Sequence, residues 1–170
     1  MLSQAIQDAI NRQIDLELAG SHYYLALSTW CDEEGFRGAS TWLRTQSLEE
    51  RGHAMKLVDY LGDREGAVRL GAVPQPETGY DSLLELFEAV LEQERAVTIA
   101  IHELFREAGG AEPSLEVLLH WFISEQVEEE KTVSDIVADL RRIGDDPTGL
   151  LIVDRELASL AAAPDPNPAP

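Results

Sequence analysis

The chain has one cysteine, Cys31, in 170 residues. A disulfide within the chain is therefore excluded, and so is a zinc or iron–sulfur site built from several thiolates. Basic residues are scarce too. Lys and Arg number 13 against 32 Asp and Glu, a net charge of −19. Such a surface repels nucleic acid, and no phosphate-binding patch is visible. It attracts cations. No apolar run is long enough to cross a bilayer, so no membrane partner is expected. The first residues, Met1-Leu2-Ser3-Gln4-Ala5-Ile6, lack a basic stretch followed by an apolar one. No signal peptide is expected, and the predicted location is cytoplasmic. The eight prolines fall at 74 and 76, at 113, at 147 and in the last seven residues. The spans between them are free to be helical.

Apolar residues recur at helical spacing in each of those spans. Residues 3–34 read as a first helix, with Ile6, Ile10, Ile14, Leu25 and Leu27 in its band. Residues 34–38 hold two glycines and read as a turn. Residues 39–65 read as a second helix carrying Trp42, Leu43, Leu57 and Leu61. At ~1.5 Å per residue each helix is roughly 40 Å long, so the two must lie side by side. Residues 66–80 contain Pro74 and Pro76 and break the pattern. This connection is long enough to run the length of a bundle; the alternative is a floppy linker between two helical hairpins. Ser82-Leu83-Leu84-Glu85 has the spacing of a capping box and opens a third helix to Ala108. Gly109-Gly110 stops it, and Pro113 starts a fourth helix ending near Ile143. Pro147 opens a short fifth helix to Leu160, which either covers one end of the bundle or packs against other subunits. The expected organisation is one domain over 1–160 and a loose, disordered Pro/Ala-rich tail over 161–170.

Each long helix carries a carboxylate in phase with its apolar stripe. Glu17 aligns with Ile10, Ile14 and Tyr24. Glu50 aligns with Leu43, Ser47, Ala54 and Leu57. Glu94 aligns with Phe87, Leu91, Val97 and Ile101, and Glu129 with Phe122, Val133 and Ile136. His53 follows Glu50 by three residues and shares its face, as Gln126 shares that of Glu129. One glutamate at the edge of a stripe can reach water. Four carboxylates gathered in a core repel one another and lose solvation, so they protonate or recruit cations. Carboxylates on four helices with a Glu-x-x-His form the ligand pattern of di-iron bundles. A pair of ions needs a bridging carboxylate, and Glu50, with a histidine on its own helix, is assigned that place. Tyr24, two turns from Glu17, reads either as a core tyrosine or as a phenol that serves the centre. Glu49, Glu125 and Glu128 flank the ligands, as a solvated face or as a third cation site. Trp30, Trp42, Trp121, Met55, His22, His102 and His120 read as packing residues.

With these residues in hand the chain resembles the bacterial non-haem ferritins, from about residue 3 to residue 160. The most specific matches are Glu49-Glu50-Arg51-Gly52-His53-Ala54-Met55 and the run from Trp121 to Glu130, joined by Glu17 and Glu94. The resemblance implies an all-α, ferritin-like four-helix bundle with a long B–C crossover, between the second and third helices, and a short fifth helix. It implies a ferroxidase centre with Glu17, Glu50 and His53 at one iron and Glu50, Glu94 and Glu129 at the other, Gln126 close by. It implies a third site at Glu49, Glu125 and Glu128. It further implies a homo-oligomeric shell of 24 subunits that oxidises Fe²⁺ with O₂ or H₂O₂ and stores the ferric product.

Two departures place the chain within that group. Haem-binding relatives have a methionine directly after the bridging glutamate. Here that residue is Arg51, so iron is the expected cofactor, without haem. Those relatives also carry a second Glu-x-x-His on the fourth helix. Gln126-Val127-Glu128-Glu129 lacks that histidine, which predicts a second iron held less tightly. The rival readings are a smaller di-iron oxidase or peroxidase on the same bundle, and a helical adaptor that docks by its fifth helix.

Overall fold

Among the described residues five helices make up the regular structure, and apart from the start of the second the local signals that begin and end them are those of the sequence. The computed structural model describes residues 2–163. The expected tail lies almost wholly outside the described residues. Helix α1 spans Gln4–Glu33. Ser3 caps it, its hydroxyl accepting from the Ile6 N–H at 3.3 Å, which satisfies one of the donors a helix start leaves free. Gly35, with φ +86°, ends it, in the left-handed conformation glycine adopts without strain.

Helix α2 spans Arg37–Asp63 and α5 spans Pro147–Ala161. The start of α2 comes two residues before the expected 39, so the turn after α1 is shorter than the sequence suggests. The reason is α5. A Cβ at Gly38 would sit 1.7 Å from the backbone oxygen of Asp154. Glycine alone therefore lets the two backbones touch. Phe36, in the N-cap position, offers no side-chain bond. Asp154 supplies it from α5, its Oδ1 accepting from Ala39 N at 2.9 Å. Removing this borrowed cap, as Asp154→Ala, is expected to lower stability by about 1 kcal/mol. Urea unfolding of variant and parent measures it. Cys31 is buried beneath this junction. Burial, with Asp154 and Asp32 nearby, pushes its thiol up to about 12.

Helices α3, Leu83–Ala108, and α4, Pro113–Ile143, complete the bundle. Ser82 Oγ accepts from Glu85 N at 3.1 Å. Glu85 Oε2 answers by accepting from Asp81 N at 2.7 Å, one residue earlier than a strict capping box requires. Between α2 and α3, residues 64–82 form neither helix nor strand. They are fastened along α1 instead. Ala67 N donates to Gln7 Oε1 at 3.0 Å, Asn11 Nδ2 to the Ala67 carbonyl at 2.9 Å, Arg69 N to Asn11 Oδ1 at 2.6 Å and Gly71 N to Asp15 Oδ1 at 2.7 Å. Farther on, the Tyr80 hydroxyl lies 3.0 Å from that of Tyr23. With the Tyr80 ring 6.2 Å from that of Trp30, the contacts run from residue 7 to residue 30 of α1, about 35 Å at ~1.5 Å per residue. The connection thus returns the chain to the end where α2 began, so α3 runs parallel to α2 and antiparallel to α1.

The core is in two parts. One cluster, including Leu27, Trp42, Leu43, Phe87, Val133 and Leu140, fills the end covered by α5. Another, including Ile6, Ile10, Leu57, Leu61, Ile101 and Leu119, fills the opposite end. Each such side chain contributes roughly 1.5–3 kcal/mol by leaving water. Helix α5 adds Val153 and Leu157 to the first cluster and packs against α2 and α4. Its Leu151, Ile152 and Leu160 remain exposed. Leu25 is also exposed; about 100° per residue carries it off the stripe of Tyr24, Leu27 and Cys31. Among the described residues, no helix is long and apolar enough to cross a membrane.

Candidate metal centre

Between the two apolar clusters lies a layer of charge. Glu17 comes from α1, Glu50 and His53 from α2, Glu94 from α3, and Gln126, Glu129 and Glu125 from α4, and all seven are buried. Their burial follows from phase, because each sits on the stripe whose other members form the clusters. A reciprocal pair fixes α1 against α2 at this level: Ser21 Oγ donates to the Ser47 carbonyl and Ser47 Oγ to the Ser21 carbonyl, each at 2.7 Å.

Glu17, Glu50 and His53 converge, one ligand atom of each lying within 4.8 Å of the others. His53 Nδ1 stands 3.8 Å from Glu17 Oε2 and 3.8 Å from Glu50 Oε2. Those two oxygens are buried and have no hydrogen-bond partner. Leaving such atoms unmatched is costly, and a cation among them removes the cost. Gly20 makes the room, since a Cβ there would come within 3.3 Å of Glu50 Oε2. Gln13 Nε2 donates to Glu17 Oε1 at 2.8 Å and fixes the carboxylate plane. The His53 ring meets Trp121 and Phe122 edge-on, with centroids 5.3 and 5.8 Å away. Lys56 Nζ lies 3.9 Å from the Trp121 ring centroid.

Glu94 occupies the other half of the layer. The Tyr24 hydroxyl donates to its Oε1, and Gln126 Nε2 donates to its Oε2 at 3.1 Å. Glu94 and Glu129 are buried at the same level but are not drawn into the 4.8 Å group. The structure therefore brings together the ligands expected at one metal more closely than those expected at the other. The flanking glutamates divide: Glu125 is buried, Glu49 is half-buried and accepts from Gln46, and Glu128 is exposed. They too stay outside the group. His22, His102, His120 and Met55 do not pack in the core as the sequence reading had them; they are exposed. Trp42 and Trp30 do pack, Trp42 at 6.4 Å from Tyr24 and Trp30 stacked on Phe36 at 6.4 Å.

Proton affinities in the layer diverge. Burial, followed by the charges of Glu17 and Glu94, holds Glu50 well above the ordinary carboxylate range. Burial also raises Glu94, although the bonds from Tyr24 and Gln126 draw it partly back. Burial works against ionised Glu17 as well, but contacts with His53, Glu50 and Gln13 prevail and leave it below its usual value. The two carboxyls titrate as a unit in which Glu50 holds a proton more readily than Glu17. Burial and then Glu94 keep Tyr24 a protonated phenol, the state in which it donates. Oxygen donors with one imidazole suit a divalent ion of the first transition row.

Three contributors escaped the sequence reading. Gln13 is four residues before Glu17, a spacing at which an amide meets a carboxylate; that signal was present. Gly20 and Thr98 matter only through partners on other helices, Glu50 for the first and Gln126 for the second, whose Nε2 lies 3.4 Å from Thr98 Oγ1. Gln13→Leu is expected to weaken binding of the first metal by about tenfold, as loss of an outer hydrogen bond to a ligand typically does. Competition for Zn²⁺ with a coloured chelator reads the change.

Comparison with known proteins gives a consistent result. Residues 7–143 match the family model of the ferritin-like domain. A probable bacterial non-heme ferritin-like protein of Haemophilus influenzae is 35% identical over 162 residues, 95% of this chain and 98% of its own. The bacterial non-heme ferritin of Staphylococcus saprophyticus is 36% identical over 160 residues, 94% of this chain and 96% of its own. The crystal structure of an open pore ferritin from the archaeon Archaeoglobus fulgidus matches with a TM-score of 0.90 at 42% identity, covering 92% of this chain and 96% of that one.

Proposed function

The chain belongs to the ferritin family of iron-storage proteins, and from that premise we propose that it oxidises Fe²⁺ at a two-iron centre within each subunit. The observation that carries this reading is the pair of unmatched buried oxygens, Glu17 Oε2 and Glu50 Oε2, facing His53. In this reading Glu17, Glu50 and His53 bind the first ferrous ion. Glu50, with Glu94, Glu129 and Gln126, takes the second. Tyr24 and Gln126 orient Glu94 by filling an acceptor site on each of its oxygens. Two ferrous ions supply the two electrons that reduce O₂ to H₂O₂, or H₂O₂ to water, and the ferric product moves on to a mineral inside a shell of 24 subunits. Hard carboxylate oxygens favour that outcome because they bind the more highly charged ion more strongly. Arg51 stands where haem-binding relatives carry the haem-ligating methionine, so no haem enters this reading.

A ligating carboxylate is ionised, so binding favours release of protons from a pair in which burial raises the proton affinity of Glu50. Titration of the iron-free protein with Zn²⁺ in weak buffer tests the centre. Two ions per subunit with release of protons are expected. One ion, or none, would withdraw the two-iron centre. Native mass measurement tests the shell, and a dimer would favour a small oxidase on the same bundle.

A further inference from the structure

A line of aromatic side chains leads from the centre to the surface. Tyr24, bonded to Glu94, is 1% exposed. Its ring lies 6.1 Å from that of Tyr23. The Tyr23 hydroxyl is 3.0 Å from the Tyr80 hydroxyl, and the Tyr80 ring is 6.2 Å from Trp30. Tyr23, Tyr80 and Trp30 are half-buried. Trp30 also borders a cavity of about 250 Å³ with Glu34, Phe36, Asp81 and Leu84. Packing alone does not require two phenols to meet hydroxyl to hydroxyl, because that contact removes both from water. Nor does it require the oxidisable rings of α1 to be joined through the crossover. Trp42 also touches Tyr24, at 6.4 Å, but leads only to Phe87 inside the core.

We propose that Tyr24, Tyr23, Tyr80 and Trp30 form a relay that brings single electrons from a reductant in solution to the metal centre. The proposal rests on the ferroxidase reading above. It acts when H₂O₂ meets a centre holding one ferrous ion. That ion gives one electron of the two needed, and Tyr24 gives the other. The balance is H₂O₂ + 2H⁺ + Fe²⁺ + e⁻ → Fe³⁺ + 2H₂O. The Tyr24 O–H bond breaks as the electron leaves, and its proton moves to the Glu94 oxygen it already faces. Tyr23 restores Tyr24, which takes its proton back from Glu94. As Tyr23 gives up that electron its own proton crosses to Tyr80, which sheds one to solvent. Tyr80 then returns a hydrogen atom to Tyr23 across the same bond. Trp30 reduces Tyr80, which regains a proton from water, and a one-electron donor such as ascorbate reduces Trp30. The four side chains end unchanged, and a centre with one ion consumes peroxide without releasing hydroxyl radical.

Full-length protein loaded anaerobically with one ferrous ion per subunit, mixed with H₂O₂ and frozen, is the sample. Electron paramagnetic resonance with indole-deuterated tryptophan identifies the radical. A tryptophanyl signal is expected in the parent and is lost in Trp30→Phe, Tyr23→Phe and Tyr80→Phe. Tyr80→Phe removes one hydroxyl, so misfolding does not explain its loss. With two ferrous ions per subunit these variants form ferric product at the parent's rate. A tryptophanyl signal absent from the parent, retained in Tyr23→Phe, or lost only in Trp42→Phe overturns the relay and leaves the ferroxidase reading intact. Absence of ferric absorbance in the parent removes that reading, and the relay with it.

Discussion

Glu50→Ala slows ferrous oxidation by at least about a hundredfold while helix content and assembly stay as in the parent. Loss of a side chain that merely supports a metal ligand typically costs ten- to a hundredfold, and Glu50 belongs to both proposed ion sites. Burial, followed by the charges of Glu17 and Glu94, raises its proton affinity. Truncation at this position removes a buried oxygen that has no hydrogen-bond partner, so the fold tolerates it. The iron-free variant gains stability, since a buried carboxyl with an unmatched oxygen has gone. Stopped-flow absorbance of the ferric product and a thermal melt check both halves of this expectation. Oxidation at the parent's rate would dismiss Glu50 as the shared ligand. A collapse of the melting temperature would make it a structural residue.

Gly38→Val displaces α5. The added Cβ meets the backbone of Asp154 at 1.7 Å, and backbone cannot swing aside as a long side chain does. Overpacking of this kind costs about 3 kcal/mol. The cap on Ala39 N is lost with it, and Val153 and Leu157 are pulled from the core they complete. Limited proteolysis reads the result directly, through new cleavage within Pro147–Ala161 in a bundle that otherwise resists. Cleavage no faster than in the parent would mean that the two helices separate by a small slide. Asp154→Ala, which leaves the contact of backbones intact, serves as the mild comparison.

The fold was readable because its causes are periodic and local. Phase placed Glu17, Glu50, Glu94 and Glu129 in the core, and all four are buried. A capping box placed the start of α3, and prolines those of α4 and α5. The start of α2 was not readable, because its cap comes from Asp154, more than a hundred residues away. Nothing near Gly38 announces that. The same limit applied to the centre. The spacing of Glu50 and His53 pointed to a kind of ligand, whereas the room for Glu50 depends on Gly20 of another helix. Phase also says which side chains turn inward without saying how close they come. It placed Glu94 and Glu129 beside Glu17 on equal terms, yet among the described residues the group whose ligand atoms all meet within 4.8 Å is Glu17, Glu50 and His53. For Leu25 the apolar character of the residue outweighed its angle around the helix, and the angle was the better guide.

A charged layer halfway along four rods has a mechanical consequence. Oil grips each end, but the middle is held by hydrogen bonds and by electrostatic strain between like groups. Bending and twisting therefore concentrate at the waist. A cation drawn in there acts as a rivet, and each subunit stiffens as it takes up its load.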